Sequence, residues 1–95
     1  SLAKGNNKYY VMVPHTKEEC LNVLDDFKGK GDLLKISDWG CMSGDHTAYF
    51  TVMAKNEDEV RNMLPDNEKD KAKIQKVSKF TAKQLADLHK KMDNK

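Results

Sequence analysis

The chain has 95 residues, 38% of them hydrophobic and 34% charged, which suits one small, well-hydrated domain. Its 17 basic and 15 acidic residues leave a net charge of only +2. We therefore expect no nucleic-acid partner, because such partners select a concentrated basic surface. No apolar run in the sequence approaches the about 20 residues that span a bilayer, so we expect no membrane partner either.

The sequence does not decide in which cellular compartment the protein is located. The chain begins with Ser1 rather than Met, which fits either a cytoplasmic protein or an exported one after removal of an N-terminal segment. Cys20 and Cys41 are the two cysteines. They allow one disulfide in an oxidising compartment and two free thiols in the cytosol.

The first elements follow in chain order. Residues 1–7 are polar and predict a disordered tail before a single domain over residues 8–95. Residues 8–13 are aromatic and β-branched and apolar on both faces, a pattern typical of a central strand. Thr16 and Glu19 then form a capping box, which predicts a helix that ends near Lys28.

The remaining pattern predicts three more strands and two more helices. Residues 33–41 read as a mixed edge strand and residues 46–54 as a strand apolar on both faces, with turn residues between them. A second helix begins at Asn56, a fourth strand covers 71–79, and a third helix follows a capping box at Thr81.

This order, β-α-β-β-α-β followed by α, predicts an α+β protein of the ferredoxin-like type with a four-stranded antiparallel sheet and an additional C-terminal helix. Right-handed crossovers place the third strand between the first and the second. One face of this sheet stays apolar at Tyr10 and Met12. The third helix or a second copy must cover it, and we expect a homodimer packed sheet to sheet.

Two mirrored segments carry the candidate chemistry. His15 precedes Cys20 by five positions, and Cys41 precedes His46 by five positions. In the predicted topology the end of the first strand, the start of the first helix, the end of the second strand and the start of the third strand lie at one edge of the sheet. The four side chains are therefore expected to converge.

The sequence allows several interpretations of this Cys/His cluster. Two thiolates and two imidazoles satisfy tetrahedral zinc, although these spacings differ from the compact CxxC motifs of structural zinc sites. Cys20 at a helix start, with His15 as base, suits a reactive thiol. A Cys20–Cys41 disulfide requires Cα atoms within about 7 Å. The alternative without function is two buried thiols, with the imidazoles bonded to strand-end carbonyls or to Asp45.

Two further residues complete the candidate site. Trp39 with Tyr49 is a possible floor for a planar ligand, although an edge-strand Trp is more often core or dimer interface. Asp45 lies in the turn before His46. The candidate ligand-binding residues are His15, Cys20, Trp39, Cys41, Asp45 and His46. The catalytic residues, the cofactor and the identity of any metal stay open.

Three segments, 15–20, 40–47 and 76–81, resemble those of short uncharacterised bacterial proteins, and this likeness extends over nearly all of residues 8–90. The architecture is similar to the dimeric α+β barrel superfamily, which includes small monooxygenases, muconolactone-isomerase-like enzymes and haem-handling proteins. The resemblance implies the fold and a dimer. It implies no catalytic residue, because no motif here matches one subfamily.

These observations predict a homodimeric binding protein that takes a metal or a small molecule at the Cys/His cluster. The alternative is a small dimeric α+β barrel enzyme, of monooxygenase or isomerase type, that works in a cleft between sheet and helices. An enzyme of that kind requires a deep apolar cavity with one or two polar groups.

Overall fold

The computed structural model describes residues 7–93. Four strands form one antiparallel sheet in the order β2-β3-β1-β4, and the protein therefore has the expected α+β character. The predicted tail lies outside the described residues apart from Asn7, which begins β1. The elements are β1 (Asn7–Pro14), α1 (Cys20–Lys28), α2 (Leu33–Ile36), β2 (Asp38–Trp39), β3 (Thr47–Ala54), α3 (Glu57–Arg61), β4 (Lys73–Val77) and α4 (Ala82–Asp93), with a 3-10 turn at Cys41–Ser43.

The central pair of strands is β1 and β3, which pair antiparallel along their whole length, from Asn7 opposite Ala54 to Pro14 opposite Thr47. Both strands are apolar on two faces, as a strand in the middle of a sheet requires. β4 flanks β1 and the short β2 flanks β3. The strand predicted third in the chain thus lies between the first and the second.

One face of the sheet, the inner face, carries the core. Its strand residues alternate with outward-facing ones, as the two-residue period of a strand dictates. Helix α1 packs Val23 and Phe27 onto it, and α3 adds Val60. Fully burying one such side chain stabilises the fold by about 1.5–3 kcal/mol. The core residues on the strands are Tyr9, Val11, Val13, Ala48, Phe50, Val52 and Ala54.

The predicted second strand over residues 33–41 is wrong in most of its length. Residues 33–36 form the short helix α2, and only Asp38 and Trp39 pair with β3. Ser37 shows why the chain turns here, since its hydroxyl donates to the carbonyl of Leu34 at 3.0 Å. A helical turn buries Leu33 completely, whereas an edge strand would leave part of this apolar run in solvent.

Two predicted capping boxes are present. The amide of Thr16 donates to Oε1 of Glu19 at 2.9 Å, and the amide of Glu19 donates to Oγ1 of Thr16 at 3.2 Å. Thr81 and Gln84 make the same reciprocal pair at 2.7 and 3.0 Å. The first box closes a turn ahead of its helix, because α1 begins only at Cys20. Cys20 is therefore the first helical residue.

The opposite face of the sheet, the outer face, is not covered by α4. Tyr10 and Met53 on this face are each 39% exposed, and none of the residues 82–93 of α4 is buried. Within the described part of the chain, no helix is both long and apolar enough to cross a membrane.

Candidate metal centre

The two histidines meet because β1 ends where β3 begins. Pro14 lies opposite Thr47 in the ladder, so His15 and His46 are the next residues beyond it on each strand. The amide of His15 donates to the carbonyl of His46 at 3.0 Å and extends the ladder by one hydrogen bond. This bond holds the two backbones together at the edge of the sheet.

Cys41 reaches the same edge through a tight loop between β2 and β3. The carbonyl of Gly40 accepts from the amides of Ser43 and Asp45, both at 2.9 Å. Gly44 closes the 3-10 turn at φ +88, a conformation that favours glycine. A Cβ on Gly40 would lie 2.6 Å from the backbone oxygen of Asp45. The loop can fold this tightly only because residue 40 has no side chain.

Cys20 reaches the cluster from α1 rather than from a loop of the sheet, and it is the first residue of that helix. The capping-box turn of Thr16 and Glu19 precedes it, and the amide of Cys20 donates to the carbonyl of Lys17 at 3.4 Å. The five residues between β1 and α1 therefore return the chain to the strand end. A local turn, rather than a long loop, sets the separation of His15 and Cys20.

The four side chains converge. One ligand atom from each of His15, Cys20, Cys41 and His46 lies within 4.8 Å of every other. The Sγ of Cys20 donates to the Sγ of Cys41 at 2.9 Å, and Nε2 of His15 lies 3.4 Å from the same sulfur. All four residues are half-buried, and both cysteines are free thiols.

The second nitrogen of each imidazole decides which lone pair is available. Nδ1 of His15 lies 3.3 Å from the carbonyl oxygen of Val13. Only a protonated Nδ1 can donate there, which leaves the lone pair on Nε2, the nitrogen beside Cys41. Nδ1 of His46 is buried and has no hydrogen-bond partner among the described residues. A buried polar atom left without a partner costs about 1–3 kcal/mol.

The environment of Cys41 disfavours nucleophilic chemistry by its thiol. Burial and, after it, the neighbouring Cys20 together raise the pKa of the Cys41 thiol to about 11. Cys41 is therefore a protonated, weakly nucleophilic thiol near neutrality. His15 contacts the sulfur of Cys41, whereas the sequence suggested it as a base for Cys20.

Trp39 supports the cluster from the core side. Its indole packs edge-on against Phe27, with ring centroids 4.9 Å apart, and lies 5.5 Å from the ring of His15. Trp39 pairs with Ala48, whereas Tyr49 pairs with Asp38, so Trp39 and Tyr49 lie on opposite faces of the sheet. The predicted planar-ligand floor built from these two residues is wrong.

Asp45 holds the loop rather than a histidine. Its Oδ1 accepts from Oγ1 of Thr47 at 2.7 Å, and its Oδ2 accepts a short hydrogen bond from the hydroxyl of Tyr49. These two bonds lower the pKa of Asp45, that of Tyr49 most, and the same contact raises the pKa of Tyr49. Asp45 therefore ties the loop that precedes His46 to the start of β3.

Sequence reasoning missed two supporting residues. Phe27 backs Trp39 and through it His15; its place on the helical stripe of Cys20 was visible in the sequence, but its aromatic partner was not. Gly40 sets the loop, and only its position between Trp39 and Cys41 pointed to it. Both residues act through packing and backbone closeness, which a single sequence does not display.

Comparisons of this chain with known proteins returned no match among family models, curated proteins or solved structures. The resemblance to the dimeric α+β barrel superfamily therefore stays a prediction. The functional assignment rests on the cluster itself.

Proposed function

We propose that this protein binds one zinc ion through His15, Cys20, Cys41 and His46, and that the ion ties the start of α1 and the β2–β3 loop to the end of the sheet. The observation that carries the proposal is the convergence of four ligand atoms, one from each residue, within 4.8 Å. Four protein ligands leave no open coordination position, so the proposed site is structural rather than catalytic.

The donor set matches zinc in kind and in charge. Two thiolates and two neutral imidazoles form one of the common tetrahedral zinc sets, and two thiolates balance the charge of the divalent ion. A neutral site is cheaper to hold at a half-buried position than an isolated charge. A bound cation also overrides the raised pKa of Cys41, because coordination deprotonates a thiol outright.

The spacing of the cluster requires only small side-chain movements. Ligand atoms of tetrahedral zinc stand about 3.3–3.8 Å apart, given Zn–N of about 2.0 Å and Zn–S of about 2.3 Å. The two sulfurs, at 2.9 Å, are closer than this, and no two of the four ligand atoms are farther apart than 4.8 Å. Side-chain rotations that move the ligand atoms by about 1 Å bring all four to the spacing of a tetrahedral zinc site.

Two features favour a metal over the Cys20–Cys41 disulfide. A disulfide uses only the sulfurs and gives the two imidazoles no role. Nδ1 of His46 is buried and, among the described residues, has no partner; coordination through this nitrogen would remove the cost of leaving it unsatisfied. The carbonyl of Val13 beside His15 also matches the outer-shell partner that metal-bound imidazoles commonly have.

The direct experiment is metal analysis combined with thiol titration on the full chain purified without added reductant. We expect one zinc per chain, and two thiols that react with a thiol reagent only after chelation. Replacement by cobalt(II) should give the visible spectrum of a tetrahedral site with thiolate ligands. Two reactive thiols without bound metal would refute the proposal, and an unreactive pair released only by a reductant would establish the disulfide instead.

Single variants assign the ligands. Cys20→Ser, Cys41→Ser, His15→Ala and His46→Ala should each lower zinc affinity by at least 10–100-fold, since each removes one of four bonds. The matched control is His89→Ala, which removes the remaining histidine, an exposed residue of α4. It should keep full zinc occupancy.

For the fold we propose the finer ferredoxin-like assignment. Its support is the strand order β2-β3-β1-β4 with antiparallel neighbours. For the assembly we propose a homodimer, because the outer face of the sheet is apolar and partly exposed. The enzyme alternative has less support, since the residues that line the cleft of about 320 Å³ beside α1 are mostly charged or amide residues, among them Glu19, Asp26, Glu68 and Lys71, whereas such an enzyme requires an apolar cavity.

A further inference from the structure

The C-terminal helix α4 has an apolar stripe that the described residues 7–93 leave largely exposed. Leu85, Leu88 and Met92 fall at i, i+3 and i+7 and are 52%, 43% and 66% exposed, and Phe80 just before the helix is 69% exposed. An isolated helix of 12 residues is marginally stable in water, because most helical stability in proteins comes from packing. The amphipathic pattern of α4 therefore requires a partner surface.

The same chain carries a second unpartnered apolar surface, the outer face of the sheet. The register places Tyr10, Met12, Tyr49, Met53 and Val77 on this face. Tyr10 and Met53 are each 39% exposed, and the other three are half-buried. This surface lacks a covering layer, which a sheet with one apolar outer face requires.

Within one chain the two surfaces do not meet. The radius of gyration is 16.7 Å, whereas a compact chain of this length has about 12 Å. The longest dimension of the molecule is 54 Å against 30 and 21 Å in the other directions. Helix α4 thus extends from the sheet, connected to β4 by residues 78–81 alone.

We propose that α4 of one copy packs its stripe on the outer sheet face of a second copy, and that the second copy returns the same contact. This exchange is independent of the proposed zinc site. A two-fold arrangement satisfies both surfaces of both chains at once and leaves none open to further copies. Covering these side chains in both directions removes on the order of 1,500 Å² from solvent, within the size of stable interfaces.

The test uses two monomer-forming variants of the reduced full chain, measured by light scattering after size exclusion. The wild type should be a dimer. Leu85→Lys/Leu88→Lys damages the helix stripe, and Tyr10→Lys/Met53→Lys damages the sheet face, so each variant alone should dissociate at least 100-fold more readily. Lys83→Glu/Lys90→Glu, on the opposite side of α4, is the control and should remain dimeric.

Mixing the two variants distinguishes this exchange from other dimers. In an equimolar mixture the intact helix of the sheet variant can pack on the intact sheet of the helix variant, so heterodimers should reappear. A sheet-to-sheet dimer would instead survive in the helix variant, and a helix-to-helix dimer would survive in the sheet variant. A dimer that survives in either variant would overturn the proposal. So would a monomeric wild type, or a mixture of folded variants that stays monomeric.

Discussion

The two faces of the sheet are built from the same strands but differ in what covers them. The inner face is closed by helices of its own chain, and Val11, Val13 and Phe27 on it have no exposed surface. The outer face retains exposed Tyr10 and Met53, and α4 does not pack there. Within the described residues, the chain thus supplies one complete layer and leaves the outer face of the sheet partly exposed.

The Cys/His cluster belongs to the complete side. Its residues lie at the end of the strands whose inner face is filled, and Trp39 links it to the core through Phe27. A site whose walls come from one chain can be preorganised before any partner arrives. The difference between the faces therefore predicts that zinc binding does not require the dimer, whereas α4 does.

The largest expected difference between the faces is in their contribution to the free energy of unfolding. Phe27→Ala should destabilise the chain by about 3–5 kcal/mol, because it removes a fully buried ring that contacts Trp39 and Phe50. Leu88→Ala should cost under about 0.5 kcal/mol in the monomer. Urea unfolding at a concentration below dimer formation measures both, and equal losses would mean that the two faces do not differ as described.

Much of the inner layer could be predicted from the sequence, because its signals are local. The capping boxes at Thr16 and Thr81 and the two-sided apolar strands led to the right elements and to a four-stranded antiparallel sheet. The short α2 could not be predicted, since apolar residues 33–36 fit a strand or a helical turn equally well by pattern. Its helical form depends on the tertiary burial of Leu33.

The convergence of the cluster was predictable from topology, but its inner geometry was not. Placing His15 and His46 together followed from two adjacent antiparallel strands. The contact of His15 with Cys41 rather than Cys20 depends on the loop around Gly40, whose closeness to Asp45 is a backbone property. The separation of Trp39 and Tyr49 onto opposite faces needed the register, which one extra or missing residue would have reversed.

The side of the molecule that holds the core also contains a buried acid, Glu68. This acid makes the stability of the fold sensitive to pH. Glu68 is 2% exposed, and its Oε2 has no hydrogen-bond partner within the part of the chain described. The pKa of Glu68 is raised from 4.5 to about 7, mainly by burial; Asp26 and, more weakly, Glu19 contribute to this rise, while Lys71 opposes it. Between about pH 4.5 and 7, the folded chain therefore holds a proton on Glu68 that the unfolded chain has released.

Because of this difference in proton binding, the free energy of unfolding falls as the pH rises. The stabilisation from protonated Glu68 is present near pH 4.5 and is lost as the pH rises to about 7, by up to about 3 kcal/mol. Glu68→Gln should remove this dependence and raise stability at pH 7, whereas Glu18→Gln, at an exposed position, should leave it unchanged. Unfolding free energies measured between pH 4.5 and 8 check this, and parallel curves for wild type and Glu68→Gln would contradict it.

A glycine in the loop of the cluster has a smaller expected effect on stability than Phe27 or Glu68, and it tests the comparison at the site itself. Gly40→Ala places a Cβ 2.6 Å from the backbone oxygen of Asp45, so the loop must shift, at about 1–2 kcal/mol. Gly31→Ala is the matched control, because Gly31 has φ +60 with open space around its Cβ position and should cost a similar about 1–2 kcal/mol through backbone strain alone.

The two glycine variants should therefore differ in zinc affinity rather than in stability. Gly40→Ala displaces Cys41 and His46 relative to His15 and should weaken zinc binding by about 10-fold or more, by analogy with the loss of other supporting contacts around a metal. Gly31→Ala lies outside the loop and should bind zinc like the wild type. Competition with a chelator of known affinity measures both, and equal affinities would show that the tight turn at Gly40 does not set the positions of the ligands.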